Sequence, residues 1–162
     1  MFEEKTINAL KWIVGILNKK NIPYQVSGGF AAKIYGSNRP LNDIDFDISE
    51  NNFNLILPEV SPYIIYGPSQ YRDEKWDAYL MTLNFNGQEI DICGADKTKI
   101  TNKDKNKWIP IPVDLSKTEE IEIKDIKIKV ISPEDLIMYK KYLDGAHQVE
   151  DINAVKKFLL KK

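Results

Sequence analysis

The chain has 162 residues, 43% of them apolar and 29% charged, with a formal net charge of -1 from 23 basic and 24 acidic residues. This composition is that of a folded domain long enough to bury a sizeable core, and it argues against a disordered chain. The balanced charge excludes a protein drawn by its overall field to polyanions, so general nucleic-acid coating is not expected.

In chain order, residues 4–20 place Ile7, Leu10, Ile13, Val14 and Leu17 on one face and predict a helix ending before Asn21 and Pro23. A short strand, Tyr24 to Ser27, leads into the pair Gly28-Gly29 and a brief helix, Phe30 to Tyr35, closed by Gly36. After a polar loop with Arg39 and Pro40, Asp43 to Ile48 alternates strictly. Ile44, Phe46 and Ile48 point one way; Asp43, Asp45 and Asp47 point the other. A helix over about 51–57, a strand over 62–66 and a loop around Gly67-Pro68 follow, and Tyr66, Tyr71, Arg72 and Trp76 fall in the loop stretch. Ala78 to Cys93 is a hairpin turning at Asn86-Gly87, with Ile90 and Ile92 buried and Asp91 on the opposite face. Residues 94–118 look loop-rich, and 119–131 form a second hairpin about Lys124-Asp125. Helices near 133–143 and 149–160 end the chain, the first with Ser132 as N-cap. A single domain over 1–162 is expected, with a core to about 115 and a C-terminal hairpin and helices from about 116.

The chemistry-bearing residues are carboxylates. Alternate strand positions are about 6.6 Å apart on one face, so Asp43 and Asp45 present oxygens to a common point. Like charges that close resist ionisation together, and a divalent cation reverses the penalty. If the strand EIDIC lies beside DIDFDI, a cross-strand pair stands roughly 5 Å apart at Cβ, and Asp91 completes a set of three. A calcium loop is rejected, because its glycine and glutamate positions hold Ile48 and Asn54. The glycine pair, with the hydroxyl of Ser27, offers an anion cradle, or else simply a turn. Arg39 could bind triphosphate oxygens as a fork, or stand solvated in its loop. The single cysteine, Cys93, reads as a small buried hydrophobe. The single His147 excludes multi-histidine metal sites. The opening MFEEKTINALKW lacks signal-peptide character and no run approaches a membrane span, so a cytoplasmic location without membrane association is expected.

Taken together, VSGGFAAKIYGSNRPLNDIDFDIS resembles the nucleotidyltransferase superfamily that includes DNA polymerase beta, and most of all its small bacterial members such as aminoglycoside and lincosamide nucleotidyltransferases and AbiEii-type proteins. The resemblance covers about residues 22–93: Gly28-Gly29, Gly36 with Arg39, Asp43-Ile44-Asp45, and Asp91. A fainter likeness follows in Pro133-Glu134-Asp135-Leu136 to Lys140 and in Asp151, although Gln148 and Glu150 stand where arginine and lysine are usual. The resemblance implies an α+β nucleotidyltransferase fold, a mixed twisted sheet flanked by helices. It implies catalysis by Asp43, Asp45 and Asp91 with Mg²⁺ or Mn²⁺, and nucleotide binding by Ser27, Gly28, Gly29, Arg39 and Lys140. It implies transfer of a nucleoside monophosphate from a nucleoside triphosphate to an acceptor hydroxyl on a small molecule, a protein or an RNA end. A regulatory or toxin–antitoxin-type binding protein on the same fold, with a partner protein, is the alternative.

Overall fold

The computed structural model describes residues 2–102 and 104–162. The chain opens with α1 (Glu4–Lys19), whose apolar stripe of Leu10, Ile13, Val14 and Leu17 is fully buried. β1 (Gln25–Ser27) passes directly into α2 (Gly28–Ile34), so both glycines lie in the helix's first turn rather than before it. β2 (Asp43–Ile48) follows the expected limits and alternation: Ile44, Phe46 and Ile48 are buried, and the three aspartates between them are half-buried. A 3-10 turn at Glu50–Asn52 leads into α3 (Phe53–Val60).

β3 (Ile64–Arg72) corrects the expected loop around Gly67-Pro68, which lies inside the strand. Proline is tolerated there because among the described residues β3 pairs only with β4, so its other edge needs no donor, and the pairing shifts register between Tyr66 and Ser69. Tyr66, Tyr71 and Arg72 are therefore strand residues, as is Trp76, the first residue of β4 (Trp76–Phe85). β4 turns at Asn86 and Gly87, both at positive φ (49° and 92°), into β5 (Gln88–Gly94). That is the geometry preferred in two-residue hairpin loops. The stretch expected as loop contains a small hairpin, β6 (Lys99–Thr101) and β7 (Trp108–Pro110). β8 (Thr118–Ile123) and β9 (Ile126–Ile131) form the second hairpin, turning at Lys124 and Asp125. α4 (Pro133–Lys140) ends three residues earlier than expected; its Ser132 cap accepts a hydrogen bond from the Asp135 amide at 3.2 Å. α5 (Ala146–Leu160) closes the chain.

The strands form one mixed sheet in the order β7-β6-β4-β5-β2-β1-β9-β8, with β3 on the far side of β4. β2 runs parallel to β5 and antiparallel to β1, which is parallel to β9. The fold is thus α+β, with five α-helices among the described residues around a mixed sheet. Phe30, Phe46, Phe53, Leu10, Met81, Ile90 and Ile92 make one continuous core between sheet and helices. Each fully buried side chain of this size stabilises the fold by roughly 1.5–3 kcal/mol. Trp12 of α1 stacks on Phe85 with ring centroids 4.3 Å apart. No helix is long and apolar enough to cross a membrane among the described residues.

Candidate active site

The sheet brings the three sequence-distant carboxylates together. β2 and β5 are adjacent and in parallel register, so Asp45 stands directly opposite Asp91 and Asp43 opposite Glu89. Asp43, Asp45 and Asp91 each offer an oxygen, and these oxygens lie within 4.8 Å of one another. The same alternation that buries Ile44, Phe46, Ile90 and Ile92 in the core obliges the acids to share the opposite face. On β4, Thr82 is the register partner of Asp91 and donates its hydroxyl to Asp91 Oδ1 at 2.6 Å. On β1, Gln25 is paired with Asp47 and donates from Nε2 to its Oδ2 at 2.8 Å.

The acids are under electrostatic stress. Burial, then the charges of Asp43, Asp91 and Asp47, push Asp45 well above the usual carboxylate range, against a pull from Lys140. Burial pushes Asp43 up to about 6, reinforced by the charge and hydrogen bond of Asp91 and opposed by Arg39. Asp47 also rises to about 6 through burial, with hydrogen bonds from Gln25 and Ser27 opposing. Such a set has the donor chemistry of a hard divalent cation: oxygen only, converging, and short of positive charge. Cys93 corrects the expectation of a core hydrophobe. It pairs with Asp47 on the acid face and is half-buried; burial and then Asp47 and Asp45 hold its thiol protonated.

The two glycines sit between opposite charges. Gly28 has φ +63°, and a Cβ there would run into the Asp45 carboxylate. A Cβ on Gly29 would meet the Arg39 guanidinium at Nη2. The Gly28 amide is already engaged, donating to the Tyr139 hydroxyl of α4 at 2.8 Å. Burial, then Asp45 and Asp47, push that phenol far above its ordinary value, so it stays neutral.

Arg39, Lys140 and Ser37 converge on Asp151 of α5. Arg39 donates from Nε and Nη2 to the two carboxylate oxygens, each at 2.8 Å. The Ser37 hydroxyl reaches Oδ1 at 2.7 Å, and Lys140 Nζ lies 3.0 Å from Oδ2 while donating to Gln148 Oε1 at 2.8 Å. Asp151 is 0% exposed and Lys140 3%. Burial alone would raise Asp151, but hydrogen bonds from Arg39, Ser37 and Lys140 outweigh it and hold the group below its ordinary value. Beside this cluster a groove of about 990 Å³ runs along α4 and α5, lined among others by Ile137, Met138, Lys140, Leu143, Gln148 and Val149.

Of the residues expected at the site, Asp43, Asp45 and Asp91 converge, Gly28 adjoins the acids, and Gly29 adjoins Arg39. Ser27 is the register partner of Asp45. Arg39 and Lys140 come together through Asp151, whose link to Arg39 no sequence signal announces. Thr82 could have been found by counting back from the two-residue turn, which pairs Phe85 with Gln88 and so Thr82 with Asp91.

No protein-family model and no curated protein sequence matches the chain. Solved structures do. A proposed nucleotidyltransferase from Thermotoga maritima superposes with a TM-score of 0.73 at 23% identity, covering 100% of this chain and 97% of that one. The lincosamide antibiotic adenylyltransferase with lincomycin bound gives 0.60 at 18% identity, over 92% and 95%. ANT(2")-Ia in complex with adenylyl-2"-tobramycin gives 0.64 at 13% identity, over 95% and 89%. What the chain shares with these proteins from end to end is the nucleotidyltransferase fold.

Proposed function

We propose that this protein is a nucleotidyltransferase, transferring a nucleoside monophosphate from a nucleoside triphosphate to an acceptor hydroxyl. The observation that carries the proposal is the direct cross-strand placement of Asp45 beside Asp91, with Asp43 in reach, on a fold shared with adenylyltransferases. Asp43, Asp45 and Asp91 would hold Mg²⁺ or Mn²⁺. When bound, such an ion supplies Lewis-acid stabilisation of the charge that develops on phosphate oxygens. The chain's own residues do the rest. Asp91, steadied by the Thr82 hydroxyl at Oδ1, would accept the proton of the acceptor hydroxyl as its oxygen bonds to the α-phosphorus. The bond from that phosphorus to the bridging oxygen breaks, and pyrophosphate leaves. Arg39 and Lys140 would attract the phosphate chain beside the glycine turn.

The adenylyltransferases of this fold have antibiotics in their structures, which favours a small organic acceptor over a macromolecule here. The test is calorimetric binding of nucleoside triphosphates in Mg²⁺ with the wild type and Asp45→Asn, followed by labelled transfer from each of the four triphosphates into cell extract. Wild-type binding that Asp45→Asn abolishes, with a labelled product, is the expected result. A wild type that binds no triphosphate ends the proposal, and binding without transfer to any acceptor turns the reading to a regulatory protein.

A further inference from the structure

Asp151 is fully buried, carries a full charge and lies in a different helix from every group assigned a chemical part above. Its carboxylate is shared by two cations, so the cluster of Asp151, Arg39 and Lys140 carries one positive charge in excess. The cluster is also aimed. Arg39 lies against Gly29 and draws on Asp43; Lys140 draws on Asp45. One residue of the glycine turn thus touches the acids and the next touches the cations. Arg39 spends Nε and Nη2 on Asp151, which fixes the guanidinium plane and leaves Nη1 outside the fork. Two cations this close would repel and splay without a shared anion, and a lysine this deeply buried would shed its proton more readily.

We propose that Asp151 is a positioning residue, holding Arg39 and Lys140 as a preorganised cationic pair at the glycine turn to receive the phosphate chain of the triphosphate. The proposal rests on the nucleotidyltransferase reading and adds to it a residue that touches no substrate. A carboxylate used only to tie α5 to α4 and to the loop before β2 would serve stability alone, and the two roles separate by measurement.

The experiment uses the whole chain and measures two affinities: Mn²⁺ alone, and a non-hydrolysable nucleoside triphosphate analogue in Mg²⁺ over a range of pH. Asp151→Asn keeps the shape of the side chain and removes its charge. Its affinity for the analogue is expected to fall about tenfold, the loss of one charge-assisted contact, with Mn²⁺ affinity unchanged. Lys140 is faced by Asp151 and Gln148 from α5, by Arg39 from the loop before β2 and by Asp45 from β2. Burial lowers its pKa and Asp151 opposes that. In Asp151→Asn the alkaline fall-off of analogue binding therefore moves to lower pH, a shift that loosened packing does not produce. Ser37→Ala, which removes one donor to Asp151 and leaves no buried charge unpaired, is the second variant and is expected to weaken the analogue about threefold. A folded Asp151→Asn that binds the analogue as tightly as wild type, or loses Mn²⁺ and analogue together, overturns the proposal. If Asp151→Asn does not fold, wild-type affinity in Ser37→Ala overturns it. A wild type that binds neither Mn²⁺ nor analogue brings down the nucleotidyltransferase reading itself.

Discussion

At Gly28 the backbone adopts φ +63°, and a methyl group would enter the carboxylate of Asp45; at Gly29 the conformation is ordinary but the guanidinium of Arg39 fills the space. The two positions therefore resist alanine for different reasons. Gly28→Ala should cost about 1–3 kcal/mol in denaturant unfolding, because the strained backbone and the clash add. Gly29→Ala should cost about 1–3 kcal/mol for another reason, since the guanidinium it displaces is forked onto buried Asp151. The displaced arginine then shows as weaker triphosphate binding in calorimetry. The alternation of DIDFDI and EIDIC reveals that Asp43, Asp45 and Asp91 each oppose an apolar set. It does not reveal that β2 and β5 are neighbours, because that pairing is made across forty residues. The likeness in the tail singles out Asp151 with Lys140 but not its partners Ser37 and Arg39, which lie more than a hundred residues away, and buried ion pairs leave no periodic trace.

Helix α4 carries Tyr139 and Lys140 at its end and depends on a cap at its start. Ser132→Ala removes the acceptor for the Asp135 amide and should destabilise the protein by about 1 kcal/mol in denaturant unfolding. Mn²⁺ affinity should not change, as the acids belong to other elements. Elements with a local signature were readable: β2 from its strict alternation, the β4–β5 hairpin from Asn86-Gly87, and α4 from serine then proline. β3 was misread beyond residue 66 because Gly67 and Pro68 signal a turn wherever both edges of a strand are paired. Here one edge is free among the described residues, so the signal lost to tertiary context. β6 and β7 have three residues each, too few for a period to show.

For the molecule as a whole, the acid face makes stability depend on pH in a direction opposite to an ordinary ion-paired carboxylate. Asp43 and Asp47 have folded values of about 6 against ordinary values of 3.8, so the native state holds more protons than the unfolded chain between those limits. Stability therefore falls as pH rises through that window. In metal-free buffer the melting temperature should be higher at pH 5 than at pH 7, by a few degrees for a partly solvated pair worth about 1–2 kcal/mol. Asp151 acts in the reverse sense. Its folded value is depressed, and the stabilisation it gives is present above the ordinary carboxylate pKa and lost only as pH falls through the depressed one, so the two effects do not cancel between pH 5 and 7. Adding Mg²⁺ at pH 7 should restore the lost degrees in wild type and not in Asp45→Asn, as scanning calorimetry would show.

The Tyr139 ring that holds the Gly28 amide also meets the Trp76 indole edge-on, with centroids 6.3 Å apart. Trp12 stacks on Phe85 and Trp108 lies under Arg72, so neither ring makes this contact. Any ligand that takes the Gly28 amide must displace the phenol, and the indole then loses an aromatic neighbour. Occupancy at the turn should therefore be readable as a change in intrinsic emission that Trp76→Phe would silence.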